Sequence, residues 1–266
     1  MSETNPGIRK VVADHLYLDR GPSEASARCD ANSQFGKVDL CSEMIRHLQL
    51  QAGDVLIDVG CGTGQHLVRF TEIVGESGSA RGFDFSEKAV AEARKRGVRA
   101  DQADGAKLPV EDGACNKLSS SFAIYYLRDA TETLIEWKRV LKTGGRLAVS
   151  GPASDTNAEL YDFHRALTGK GPQDTDLMAL GFVNDCKPIL EKLGFRDVAV
   201  DTFTNPISFP TAEEFVTYWQ NTSLFARSVD DADRDKVIAE GRKKAAAQSG
   251  PWVVTKRVEV ATAVRG

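Results

Sequence analysis

Hydrophobic residues recur along this chain with two spacings, and the switches between them outline its elements. Residues 38–50 (VDLCSEMIRHLQL) put Leu40, Met44, Ile45 and Leu48 on one side of a helix. In residues 55–59 four of five positions are aliphatic, which predicts a strand buried on both faces of a parallel sheet. Leu67, Phe70 and Val74 form the packing stripe of a second helix, ended by Gly75. A strand over 80–85 follows, then a helix that Ser86 can cap and that pairs Glu92 with Arg96 one turn apart. Strands are predicted at 98–103 and 117–123. Asp129-x-x-Glu132 opens a helix striped by Leu134, Trp137 and Leu141, and residues 146–150 make a fifth strand. This alternation predicts an α/β fold, an open and mostly parallel sheet with helices on both faces.

Beyond residue 150 the pattern loosens. Helices are expected at 157–167 and 177–193, the second breaking before Pro188, with a strand at 197–203. Residues 211–225 read as a helix dense in aromatics and 230–248 as a charged, solvated one. Residues 253–264 alternate as a closing strand, with Val254, Val258, Val260, Thr262 and Val264 on one face. The helical insertions, about 152–175 and 206–250, are expected to cover the sheet's C-terminal edge. No repeat or linker divides the chain, so 1–266 reads as a single domain: an N-terminal arm or lid (1–37), a cofactor-binding core (38–151), and a cap-bearing remainder (152–266).

Composition narrows the function. With 266 residues, 27% charged and a net charge of −4, the chain has no basic footprint for nucleic acid or an anionic membrane. No stretch approaches the roughly 20 apolar residues of a membrane span, and MSETNPGIRK has no secretory apolar core. The five cysteines (Cys29, Cys41, Cys61, Cys115, Cys186) are odd in number and include no C-x-x-C, and the four histidines show no ligand spacing. A reducing cytoplasm and no metal are the expectations.

The chemistry concentrates at DVLIDVGCGTGQ, residues 54–65. A strand running through a glycine turn into a helix N-terminus lets backbone approach a ligand closely. The dinucleotide pattern G-x-G-x-x-G is not met, because Gln65 stands where its third glycine belongs. Asp58, two residues before Gly60, would repel a phosphate. A ligand with a positive centre and no phosphate fits better. Asp84 ends the second strand 24 residues past Gly60, placed to accept hydrogen bonds from ribose hydroxyls.

With these residues the stretch resembles the first motif of the class I S-adenosylmethionine-dependent methyltransferases, of the small-molecule, UbiE-like type. Their cofactor carries an ammonium and a sulfonium. EWKRVLKTGGRLAVS (136–150) resembles the same family's helix, turn and fifth strand, and the likeness covers roughly 38–150. It implies a Rossmann-like, doubly wound sheet of seven strands in the order 3-2-1-4-5-7-6, the seventh antiparallel. It also implies S-adenosyl-L-methionine as cofactor. Asp58, Gly60, Cys61, Gly62 and Gln65 would line it at the turn, and Asp84 and Phe85 at the ribose. Asp104, Gly105 and Ala106 would meet the adenine, where an acceptor-only carboxylate suits the exocyclic amine. Ser121, Phe122 and Tyr126 would face the methionine part. Two departures stand out: Asn116 where the family usually has aspartate, and Tyr125-Tyr126 where small-molecule members carry histidines.

The implied reaction is methyl transfer to an O, N or C nucleophile of a small molecule. His164 is the candidate base, because the helix after strand five commonly faces the substrate; His15 and Tyr161 are weaker ones. Tyr17, Tyr161, Tyr218 and Trp219 are candidate substrate contacts. A homodimer stays open. The competing readings are a catalytically silent S-adenosylmethionine-binding partner protein and an NAD(P)-dependent reductase.

Overall fold

The computed structural model describes residues 34–127, 129–172, 177 and 179–266. Helix α1 (Leu40–Leu48) leads into β1 (Val55–Val59), α2 (Gln65–Val74), β2 (Ser79–Asp84), α3 (Glu87–Lys95), β3 (Ala100–Gln102) and β4 (Cys115–Ser121). A short 3-10 turn (Ile124–Tyr126) precedes α4 (Ala130–Val140), β5 (Leu141–Pro152), α5 (Ala158–Thr168), α6 (Phe182–Lys192) and β6 (Phe195–Phe209). The chain closes with α7 (Ala212–Gln220), α8 (Ser223–Ser228), α9 (Arg234–Ala246) and β7 (Trp252–Arg265).

The seven strands lie in the order β3-β2-β1-β4-β5-β7-β6. β1 to β5 pair in parallel, and β7 runs antiparallel to both β5 and β6. The expected order and the antiparallel seventh strand are both present.

Strand alternation divides the core between the two faces. Leu56, Ala148, Val258 and Val260 pack with Met44 and Leu48 of α1, Leu67 and Phe70 of α2, and Val90 and Ala93 of α3. Ile57, Val59, Phe83, Leu118 and Val149 pack instead with Leu134 and Trp137 of α4 and with Val183 and Leu190 of α6. At the sheet's amino edge, Asn116 Nδ2 donates to Asp54 Oδ1 (2.7 Å) and its Oδ1 accepts from Val55 N (2.7 Å). Asn116 therefore braces β1 against β4 at the edge opposite the glycine turn, and the departure from the family pattern there is architectural. Lys117 Nζ and Arg146 Nε donate to the carbonyls of Leu48 and His47, capping α1 with cations at its negative end.

Several expected boundaries move. The pairing of β5 begins at Leu141 rather than Arg146, with residues 142–145 bulging between Cys115↔Leu141 and Lys117↔Arg146. α6 continues through Pro188, held by the buried Phe182, Val183, Cys186 and Leu190. The aromatic helix is two helices: Thr211 caps α7 in a reciprocal capping box with Glu214, and Thr222 starts α8. β6 runs on to Phe209, six residues past the expected 203.

That last extension shapes the molecule. β5 stops at Pro152, opposite Val258, whereas β6 and β7 remain paired out to Phe209↔Trp252. The ribbon projects beyond the carboxyl edge of the parallel strands and carries a third core. There Phe163, Phe209, Phe215, Trp219, Phe225 and Val254 are buried together, and Phe215 stacks on Trp252 at 4.2 Å. The described chain enters beside this ribbon, through a bridge between Gly36 and Ile207. Most of the expected arm, with His15 and Tyr17, lies outside the described residues.

Among the described residues, no helix is long and apolar enough to cross a membrane, and no group of three or more His, Cys, Asp or Glu side chains could hold a metal ion. Cys41, Cys61, Cys115 and Cys186 are buried.

Candidate cofactor and active site

The turn after β1 depends on backbone shapes that L-residues rarely adopt. Gly60, Gly62 and Gly64 have φ of 75°, 54° and 79°. A side chain at Gly60 would also bring its Cβ within 2.3 Å of Ala123 Cβ. Hydrogen bonds latch the turn onto β2: Gly60 N and Cys61 N donate to Phe83 O (2.7 and 3.1 Å), and Gly62 N donates to Asp84 Oδ2 (2.8 Å). Gly64 then starts α2 with no side-chain cap, and Gln65 is its first, half-buried residue.

Asp84 is the last residue of β2 and is 6% exposed. Its Oδ1 accepts from Ser86 N at 2.9 Å. Burial raises its pKa, opposed by the N–H groups of Ser86, Gly62 and Phe85. Phe85 follows with 54% of its surface exposed, an apolar ring at the rim of the sheet. Asp104 is exposed, just past β3, and its Oδ1 accepts from Ala106 N at 2.9 Å. Gly105 fills the tight corner between them; a Cβ there would meet Val59 Cγ1 at 2.9 Å, and its carbonyl accepts from Trp137 Nε1 at 2.9 Å.

The end of β4 brings a row of polar atoms. The Oγ atoms of Ser120 and Ser121, together with Asp58 Oδ1, are buried without a hydrogen-bond partner, while the Ser119 hydroxyl lies close enough to the Asp58 carboxyl to bias its titration. Asp58 and Ser119 face each other across the β1–β4 pair. Burial raises the Asp58 pKa to about 7, with the Ser119 hydroxyl opposing and the nearby Asp84 adding to the rise. Buried polar groups in native proteins have partners as a rule, and Asp58, Ser119 and Ser121 share the face on which a ligand could supply them, whereas Ser120, opposite Val149, faces the other side of the sheet. Phe122 stands beside it at φ 54°, uncommon for a non-glycine residue, while its N–H donates to Ser150 O at 2.8 Å. Tyr126 is half-buried in the following 3-10 turn, its ring 4.5 Å from that of Tyr125.

The carboxyl ends of β1, β2, β3 and β4 thus gather Asp58, the glycine turn, Asp84, Asp104 and the serines along one rim. That is where ligands bind such sheets. Two further residues shape this rim. Ser119 lies two residues before Ser121 on the same face, a signal that strand alternation contains. Gly82 has no such signal: a Cβ there would lie 2.6 Å from Cys61 Sγ, so its role depends on a contact across strands.

The expected catalytic base is placed otherwise. His164 has no exposed surface. Trp219 Nε1, which can only donate, donates to His164 Nδ1 at 3.1 Å, so the ring proton sits on Nε2, facing Ser228 Oγ at 2.7 Å. Burial pushes its pKa down to about 4, and both nitrogens are occupied within the cap core. In this arrangement it has no lone pair to offer a substrate. Trp219 is fully buried as its donor, and Tyr218 packs its ring 5.0 Å from Phe209. Tyr161 lies half-buried against the same cluster. These three candidate substrate contacts are packed in the cap core with His164.

This sheet order, with its glycine turn and rim of acids, defines the class I methyltransferase architecture, and the comparisons agree. The model of a methyltransferase domain family matches residues 50–178. A demethylmenaquinone methyltransferase of Lactobacillus johnsonii is 30% identical over 181 residues, 59% of this chain and 74% of that protein. An uncharacterized 37.1 kDa protein of a Streptomyces fradiae transposon is 32% identical over 155 residues, 56% of this chain; the chain spans only 42% of that relative's length. The crystal structure of a SAM-dependent methyltransferase from Aquifex aeolicus superposes with a TM-score of 0.53 at 16% identity, over 98% of this chain and all of that one, which is a likeness of fold. The chain belongs to the class I S-adenosylmethionine-dependent methyltransferase family.

Proposed function

We propose that this protein transfers a methyl group from S-adenosylmethionine to a small-molecule acceptor bearing an O, N or C nucleophile. The observation that carries the reading is the buried Asp58 Oδ1, short of a donor, with Ser119 and Ser121 on the same face of the sheet beside three left-handed glycines. A carboxylate short of a donor suits an ammonium and disfavours a phosphate, so these residues fit an amino-acid-bearing nucleoside. In this reading Asp58, Ser119 and Ser121 hold the amino-acid end. Gly60, Cys61, Gly62 and Gln65 form the wall against which it lies. Asp84 takes the ribose hydroxyls, Phe85 lies against the base, and Asp104 with Gly105 and Ala106 meets the exocyclic amine. Phe122 and Tyr126 border the reacting end.

The bound cofactor supplies a methyl group already activated on a sulfonium. The protein's part is to hold that end still, bring the acceptor in line and keep water out. No proton-accepting role falls to His164, whose nitrogens are spent inside the cap. The acceptor named in the Lactobacillus relative, demethylmenaquinone, belongs to that protein; for this chain the proposal extends to a small molecule.

Thermal denaturation with S-adenosylhomocysteine and, separately, NADH tests the reading. The homocysteine nucleoside is expected to raise the melting temperature and NADH to leave it unchanged. Asp84→Ala removes hydrogen bonds to a charged acceptor, about 1.5–3 kcal/mol each, and is expected to weaken the nucleoside at least tenfold by calorimetric titration. Stabilisation by NADH alone would sink the proposal. A screen of acceptors read by mass then identifies the methylated product.

A further inference from the structure

The outer edge of the sheet carries a feature that methyl transfer does not use. Arg81 of β2, Arg94 of α3 and Arg99, with Val98, Ala100 and Asp101, line a groove of about 430 Å³. The lining thus holds three arginines and one aspartate. Asp101 is fully engaged: Oδ2 accepts from Arg81 Nε at 2.7 Å and Oδ1 from an Arg94 terminal nitrogen at 2.8 Å. Arg94 Nε donates to Ala100 O at 2.7 Å, and the Arg81 guanidinium lies 4.7 Å over the Phe83 ring, so both forks are fixed in orientation. Arg99 immediately precedes β3, its carbonyl accepting from Gly82 N at 2.8 Å, and its side chain makes no hydrogen bond or ion pair among the described residues. The groove therefore holds two uncompensated positive charges on a chain whose net charge is −4.

Charges on an edge strand also discourage pairing with another strand. That purpose is served by side chains splayed into solvent. Here one carboxylate holds two partly exposed guanidiniums beside a concavity and leaves Arg99 uncommitted, an arrangement that suits a polyoxyanion. Planar guanidinium forks match phosphoryl oxygens in geometry as well as in charge. A carboxylate ligand would find the same charges, but a phosphoryl group has enough oxygens to engage all three arginines at once.

We infer that this groove binds a dianionic phosphoryl group, carried either by a free small molecule or by a lipid headgroup. It lies on the body of β2 and β3, Arg81 being three residues before Asp84, and is separate from the methyl-donor rim.

The probes are inorganic pyrophosphate, titrated calorimetrically against sodium chloride of equal ionic strength, and phosphatidic acid vesicles, compared with phosphatidylcholine vesicles by co-sedimentation. Because Arg99 supports nothing else, Arg99→Glu is expected to keep the melting temperature and the affinity for S-adenosylhomocysteine. It is expected to lose roughly tenfold or more in phosphoryl affinity. Pyrophosphate binding that Arg99→Glu weakens supports a free ligand; binding to phosphatidic acid vesicles alone, equally weakened, supports a lipid one. Binding of neither probe above its control, or binding that Arg99→Glu leaves within twofold of the parent, overturns the inference. Unchanged S-adenosylhomocysteine affinity in the variant separates a failure here from a failure of the methyltransferase reading.

Discussion

At the scale of single residues, Asp58 is a carboxyl group that the folded chain prefers neutral. Its pKa rises to about 7 because it is buried with one oxygen lacking a donor. The native state then binds a proton more tightly than the unfolded chain, whose carboxyl titrates near 3.8. The stability linked to this group is full below that unfolded value and is lost as pH rises through about 7. A cation delivered to Oδ1 reverses the preference. Asp58→Asn is therefore expected to raise the melting temperature of the ligand-free protein at pH 8, to change it little near pH 4, and to shrink the shift produced by S-adenosylhomocysteine. Calorimetry at the two pH values checks this, and a variant that melts with the parent at both would refute the role given to burial. Asp58 was legible in the sequence because its neighbours are local: a buried strand and a glycine turn. His164 was not, because a histidine on an amphipathic helix reads alike whether it faces a cleft or a core. Its partners, Trp219 and Ser228, lie 55 and 64 residues away.

At the scale of elements, the same divide separates the parallel half of the sheet from the ribbon. The strands β1 to β5 announced themselves by short apolar runs between glycines and helices, each a local pattern. β6 did so only as far as residue 203, because Pro206 reads as a stop; the strand runs on through it as the outermost strand of the sheet, where proline is best tolerated. The residue before it has a long-range task that no spacing reveals. Asn205 is fully buried, and its Oδ1 accepts from Lys37 N and Val38 N, both at 2.9 Å, while Nδ2 donates to Val38 O at 3.2 Å. One carboxamide thus replaces a stretch of strand pairing where the chain enters α1. Asn205→Ala leaves two part-buried N–H groups without an acceptor, a loss on the order of 1–3 kcal/mol. Peptides covering Lys37 and Val38 are expected to exchange hydrogen faster in the variant while those of β1 and β4 keep their protection. Unchanged exchange at 37–38 would show that the clasp holds nothing.

At the scale of the whole molecule, three cores meet at the carboxyl rim, and they do not bear on it equally. α4 holds the loop after β3 by several contacts: Trp137 Nε1 to Gly105 O at 2.9 Å, Glu136 Oε1 from Leu108 N at 2.7 Å, and Arg139 to the carbonyl of Val110 and the carboxylate of Asp112. A helix on one face of the sheet thereby fixes the backbone next to Asp104. The cap core instead closes on itself, with Phe163 edge-on to Phe215, Trp219 and Trp252. Damage in the two places should separate. Trp137→Phe keeps an aromatic ring in the core but frees the Gly105 carbonyl; the loss of one hydrogen bond, about 1 kcal/mol, is expected to weaken S-adenosylhomocysteine roughly fivefold. Phe163→Leu is expected to lower the melting temperature by disturbing the aromatic packing, about 1–3 kcal/mol, while leaving that affinity within twofold. Titration of both variants decides the matter: if the cap substitution weakens the nucleoside as much as the Trp137 one, the ribbon and its helices are part of the cofactor's enclosure rather than a separately packed neighbour.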